Sequence, residues 1–275
     1  MAWRCSGSTN EALVTNLTRA SILKTPRVID AFRRVDRAYY VVDASEAYRD
    51  APSYLGHVLS PWVKRYYGAT ISAPHMHAHA VENLEPFLKP GANVLDVGSG
   101  SGYLCGLFHS LVQPGGTVLG IDHLPELVTL ARHNLARDPS AAAALCPDET
   151  SPVSEGNQEG GRTMQVITAD GRNGAPKGQF MSELLLPAFL KLSSIRYASS
   201  TKRCYCSPLT FGDESARPPY TQLASPGRMF IPVGDFSQNI WQVDKDADGQ
   251  VTKHRLFGVS YVPLTDAESQ YADAR

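Results

Sequence analysis

Apolar positions along the chain follow two rhythms, and where each begins and ends divides the sequence into elements. Residues 9–20, with Leu13 and Leu17, and residues 26–35, with Val28, Ile29 and Phe32, carry helical spacing and predict two N-terminal helices. Thr9 is placed to cap the first, and Pro26 suits the opening turn of the second. No period is sustained between residues 36 and 68, where Pro52, Gly56 and Pro61 mark a loop, so residues 1–68 read as a helical flank. A helix is expected over 78–88. Short apolar runs then alternate with helical patterns: a strand at 93–97, a helix after Tyr103, a strand at 117–121, a helix at 125–135 and a strand at 164–169. This alternation gives an α/β fold. Residues 138–162 are rich in Ala, Ser, Gly and Glu and predict a surface loop. Three further strands are expected at 228–234, 239–243 and 251–264, with Asp248-Gly249 as a hairpin turn between the last two.

The most informative junction is Asn93-Val94-Leu95-Asp96-Val97-Gly98-Ser99-Gly100-Ser101-Gly102-Tyr103, a strand that passes through alternating glycines into a helix. Glycines there allow positive φ and close approach of a ligand. Tyr103 stands where a dinucleotide fingerprint needs its third glycine, so pyrophosphate binding is disfavoured. No G-x-x-x-x-G-K-[ST] string occurs, which removes the triphosphate cradle. The second strand ends in Asp122-His123, and a carboxylate there can accept both ribose hydroxyls. An adenosine cofactor without phosphates fits, and S-adenosyl-L-methionine is the commonest of these. A bare βαβ crossover is the alternative. Asp170, closing the strand at 164–169, could meet an adenine amino group or serve only as a turn residue.

The segment Gly68-Ala69-Thr70-Ile71-Ser72-Ala73-Pro74-His75-Met76-His77 also stands out. Ser72 could orient a carboxylate or cofactor, with His75 or His77 bonding either, or it could simply cap a helix beside a satisfied histidine. No G-x-S-x-G elbow surrounds Ser72, and the two histidines lack zinc-ligand spacing, so acyl chemistry and a metal are not expected. Asp244 to Gly249 imitates a calcium loop, but Arg255 takes the position of its bidentate glutamate.

Composition narrows the function classes. With 275 residues and 43% hydrophobic content, one domain with a sizeable core is the default. A net charge of -1 offers no basic stripe for nucleic acid or an anionic membrane. No apolar run has spanning length and no signal-peptide core is found, so a cytoplasmic protein is expected. Five cysteines without a C-x-x-C pair predict free thiols.

These strings, together with Asp36-Arg37-Ala38-Tyr39-Tyr40 and Tyr261-Val262-Pro263-Leu264-Thr265-Asp266, resemble the protein-L-isoaspartate O-methyltransferase family over most of the chain. The resemblance implies a Rossmann-like methyltransferase fold with a mostly parallel sheet flanked by helices. It implies a monomer that transfers the methyl of S-adenosyl-L-methionine to the free α-carboxyl of L-isoaspartyl residues in damaged proteins and peptides. By position, Ser72 matches the family's active-site serine. Ala69, Thr70, Ile71 and His77 would line the pocket, with Asp96, Gly98, Ser99 and Gly100 beneath. Asp122 and His123 would hold the ribose, Asp170 and Gly171 the adenine, and Thr265 and Gln270 would close the site. Residues 69–176 would then be the cofactor-binding half and 220–275 the C-terminal strands and short helix. Residues 177–219 depart from the family, which carries a buried Val/Ile-type strand and loop there. No such strand is found, and residues 184–190 read as an improvised helix. A homologue that only binds cofactor or partners is therefore the alternative.

Overall fold

The computed structural model describes residues 5–60, 63–151, 153, 162–170, 185–187, 223–234 and 238–259, with 57–60, 63–68 and 185–187 as backbone only. The chain opens on α1 (Asn10–Arg19) and α2 (Pro26–Arg34), as the apolar spacing predicts. Thr9 caps α1 by accepting the Ala12 N–H. Three strands that read as short apolar runs, β3 (Asn93–Val97), β4 (Thr117–Asp122) and β5 (Met164–Thr168), pair in parallel. Their crossovers are α4 (Tyr103–Val112), and α5 (Pro125–Arg137) with the segment after it.

Burial on both faces is what makes those strands continuous apolar runs. Val94, Val118, Met164 and Val166 face a core built with the helices, including Leu13, Leu17, Phe32, Leu107, Phe108 and Leu135. Their neighbours Leu95, Val97, Leu119, Ile121 and Ile167 face a second core. A C-terminal antiparallel sheet of β7 (Gly227–Val233), β8 (Gln238–Lys245) and β9 (Val251–Val259) continues both layers. Phe230 and Ile240 join the first core, whereas Met229, Ile231 and Val243 join the second. Between β8 and β9 the expected turn forms: Gly249, at φ 81°, donates to the Asp246 carbonyl.

Four expectations change. Residues 53–71 form a hairpin, β1 (Ser53–Ser60) with β2 (Val63–Ile71), where a loop was expected. Pro52 precedes it, and among its described side chains the buried apolar ones are Leu55 and Ile71, one on each strand, which is too little to make a pattern. The next helix, α3 (Pro74–Leu84), starts four residues early. Its first turn is held by Asp50, which accepts the His75 N–H at 3.0 Å from far back in the chain. Residues 138–151 fold onto the sheet edge instead of remaining a surface loop. Asp138, Ala141 and Cys146 are buried, and Cys146 donates its N–H to the Met164 carbonyl. Finally, a strand does follow Asp170: β6 (Leu185–Pro187) pairs in parallel with β3 and lies beside β7. Three residues ending in proline carry neither the length nor the Val/Ile content by which a buried strand is recognised, and proline is tolerated at a strand's last place.

With β6 in place, the parallel order is β5-β4-β3-β6. The chain reverses its winding next to β3. That is the position where open α/β sheets form a crevice at the carboxyl ends of their strands, and the glycine turn lies there. Gly102 caps α4 at φ 82°, and a Cβ on it would stand 3.2 Å from Ala131 Cβ and Leu135 Cδ1 of α5. Gly102→Ala should therefore lower stability by about 1–3 kcal/mol, through left-handed strain plus contact. Gly91→Ala, at φ 85° with open space around it, should cost less. Urea midpoints at unchanged m-value measure both.

Candidate active site

The glycine turn is fastened to β4 by its own backbone. Gly98 and Ser99 both donate to the Ile121 carbonyl, at 2.8 and 3.0 Å. One residue further on, Gly100 donates to Asp122 Oδ2 at 3.0 Å, while Asp122 Oδ1 accepts the Leu124 N–H at 3.2 Å. Asp122 thus bridges the turn and the entry to α5. It is buried, and burial pushes its carboxyl above the ordinary aspartate range against the pull of His123 and of backbone N–H groups. Beneath the turn, Asp96 is fully buried and accepts from Cys105 Sγ at 3.2 Å; burial and this carboxylate together raise the Cys105 thiol well above its usual range.

Two polar atoms at this turn, Ser99 Oγ and His123 Nε2, are buried with no hydrogen-bond partner among the described residues. Leaving such groups unpaired costs about 1–3 kcal/mol each, so they point to a polar ligand. Gly120 lets the turn pack closely on β4: a Cβ there would stand 2.7 Å from Cys105 Sγ and 3.1 Å from Ser99 Cβ.

The opposite wall comes from the hairpin. Leu55 pairs with Ala69 across β1 and β2, and its Cδ1 reaches to 3.4 Å of where a Gly100 Cβ would be. Ala69, Thr70 and Ile71 end β2, and Ser72 and Ala73 lead into α3 with Ser72 and Ile71 buried. His77, on α3, is buried edge-on to Tyr103, with ring centroids 5.1 Å apart. Tyr103 is the first residue of α4, so His77 is tied to the glycine turn. His75 turns elsewhere: its Nδ1 lies 2.8 Å from Asp50 Oδ1, in the same contact that caps the helix.

Across the sheet, Ala169 donates to the Asp122 carbonyl at 2.9 Å, which fixes the end of β5 beside the end of β4, and Asp170 follows directly. Gly171, Thr265 and Gln270 lie outside the described residues, as does the capping box expected at Thr265.

Sequence reasoning missed Arg37. It sits on a 3-10 turn (Arg37–Tyr39) and is fully buried. Its Nη2 donates to the Ser72 carbonyl at 2.7 Å, its Nη1 lies 3.2 Å from His77 Nδ1, and its guanidinium stands 5.4 Å from the centre of the Tyr103 ring. Burial lowers it to about 10, so it remains a cation at neutral pH. His77 is pushed well below 6.5, first by burial, then by Arg37 and His75. The only local signal was an arginine set among Val35, Ala38, Tyr39 and Tyr40.

A family model described as protein-L-isoaspartate(D-aspartate) O-methyltransferase matches residues 8–180 and 212–269. The chain belongs to this family. The protein-L-isoaspartate O-methyltransferase of Triticum aestivum is 37% identical over 265 residues, 96% of this chain and 95% of that one. The Caenorhabditis elegans relative is 36% identical over 274 residues, covering 98% and 99%. A crystal structure of a Plasmodium falciparum protein described as a putative member, in complex with S-adenosyl-L-homocysteine, superposes with a TM-score of 0.65 at 24% identity, over 94% of this chain and 99% of that one. That likeness supports the Rossmann-like methyltransferase fold. Strand β6 falls in the stretch between the family's two matched segments, so the sheet place beside β3 is filled by residues the family model does not cover.

Two histidines, His77 buried and His109 half-buried, make the fold sensitive to acid. His77 is held below 6.5 and His109 at about 4 by burial. The unfolded chain therefore takes up protons first as pH falls below about 6.5, and stability is lost from there down to about pH 4. Asp122, raised in the fold, acts with the opposite sign, so variants are the better measure. In urea unfolding from pH 7 to 4, His109→Gln should flatten the fall by up to about 3 kcal/mol.

Proposed function

We propose that this chain transfers the methyl group of S-adenosyl-L-methionine to the free α-carboxyl of L-isoaspartyl residues in damaged proteins and peptides. The observation that carries this reading is the crevice at the end of β3, where Ser99 Oγ and His123 Nε2 have no partner among the described residues, in a chain of this family. The residues present fit such a cofactor: a turn with no third fingerprint glycine, a carboxylate at the end of β4, and open polar atoms beside it. In this reading Asp122 and His123 face the ribose, and Asp170 and Gly171 the adenine. Asp96, Gly98, Ser99 and Gly100 form the floor. Ala69, Thr70, Ile71 and His77 line the wall, and Thr265 and Gln270 close it.

The bound cofactor supplies an electrophilic methyl on a sulfonium. An isoaspartyl carboxylate is already a nucleophile, so no strong general base is required of the protein. Its contribution is alignment and exclusion of water, effects that together can reach about 7–11 kcal/mol. Ser72 serves to orient the incoming carboxylate by hydrogen bonding, and the hairpin wall shields it from solvent. The two halves, residues 69–176 and 220–275, act as one methyltransferase domain with residues 1–68 as flank. A monomer in the cytoplasm is the setting we infer. The buried thiols of Cys5 and Cys105 support a reducing compartment, and the net charge of -1 supports a protein rather than a nucleic-acid partner.

The test is transfer of labelled methyl to an isoaspartyl peptide, with the aspartyl isomer as control. Labelling confined to the isoaspartyl peptide is expected; equal labelling of both, or of neither, removes the reading. Ser72→Ala should lower kcat/KM by about 10- to 100-fold, as expected when a positioning contact is lost.

A further inference from the structure

We propose that Arg37 is a positioning residue for the reaction, one that locks His77 as the tautomer protonated on Nε2 and clamps the backbone of Ser72. The inference rests on the function proposed above for its catalytic consequence, but its geometry stands independently. A guanidinium can only donate hydrogen bonds. Arg37 Nη1 lies 3.2 Å from His77 Nδ1, so that ring nitrogen must accept, and the neutral imidazole carries its proton on Nε2. The other arm of the same fork donates to the Ser72 carbonyl at 2.7 Å. One planar cation therefore fixes two residues of the wall, Ser72 and His77, in a single relation to each other. Tyr103, beneath the guanidinium, transmits that relation to the glycine turn.

The remaining neighbours favour the same state. Protonating Nδ1 would set an N–H against the guanidinium of Arg37, with His75 on the same helix adding like charge. The Tyr103 ring from α4 is neutral, its phenol raised above the ordinary range by burial. Asp50 favours the charge of Arg37. A lysine could not replace the fork, because one ammonium lacks the rigid two-armed geometry.

The tautomer can be read directly. In the full-length chain labelled with nitrogen-15 histidine, the His77 ring signals are assigned by their loss in His77→Gln. Nδ1 should be unprotonated and Nε2 protonated across about pH 5.5 to 8, the range around histidine's ordinary pKa. In Arg37→Met, burial still keeps His77 neutral across that range, but with no donor facing Nδ1 the ring should populate the Nδ1-protonated tautomer as well. Methyl transfer should then lose about 10- to 100-fold in kcat, with KM for the cofactor changed less. Arg37→Lys should recover part of the rate and part of the single-tautomer signal. A protonated Nδ1 in the folded wild-type chain, or an identical His77 tautomer in wild type and Arg37→Met, would overturn the proposal. If Arg37→Met does not fold, the wild-type tautomer and the Arg37→Lys spectrum decide. Because the tautomer is read without turnover, an inactive wild-type chain would reject the proposed function separately from this arrangement.

Discussion

A carboxylate shut away from water at the end of β4 holds the crevice together. Asp122 accepts from Gly100 on one side and from Leu124 on the other, and so joins the glycine turn to the start of α5. Removing a charge from water is costly unless it is hydrogen-bonded, and burial accordingly raises this carboxyl. The backbone donors make the arrangement tenable. They also fix where Ser99 Oγ and His123 Nε2 stand, and those are the atoms a polar ligand can satisfy. Everything else at the site is built outward from this point: the hairpin reaches it through Leu55, α4 begins just beyond it, and the end of β5 is fastened beside it through Ala169.

A second buried charge, Arg37, organises the other wall. The two differ in how they are compensated. Asp122 is met by backbone donors, whereas Arg37 is met by a carbonyl, an imidazole and an aromatic face, and among the described residues its Nε has no partner. Losing one partner of such an arrangement costs several kcal/mol because the remaining charge stays buried. For a reaction whose nucleophile and electrophile are both competent from the start, stiffness of this kind is the main thing a protein can add.

What was legible in the sequence follows from this division between local and distant causes. The strands β3, β4 and β5 were visible because both their faces are buried, so Val94, Leu95, Val118, Leu119 and Ile121 leave an unbroken apolar trace. Helices α1, α2 and α5 were visible from their period, α1 also from its Thr9 cap and α2 from Pro26 in its first turn. The early start of α3 was hidden, because the group that holds its first turn, Asp50, lies 25 residues before His75. Arg37 was hidden for the same reason, acting on Ser72 from 35 residues away. Strand β6 was too short and too proline-bound to differ from a loop. The floor of the site was thus readable from the glycine turn and Asp122, while the bracing of its wall needed coordinates.

The strand beside β3 bears on the one region that departs from the family. Residues between the two matched stretches supply β6, in register with Leu95, Asp96 and Val97. The sheet therefore keeps a strand on that flank of the crevice, and β7 continues from it. Binding of S-adenosyl-L-methionine to the full-length chain by titration calorimetry addresses the central claim most directly. The account predicts one site per chain, weakened about 10- to 100-fold by Asp122→Asn, in line with loss of a hydrogen bond to a charged group. No binding heat, or equal affinity in the two chains, would contradict it.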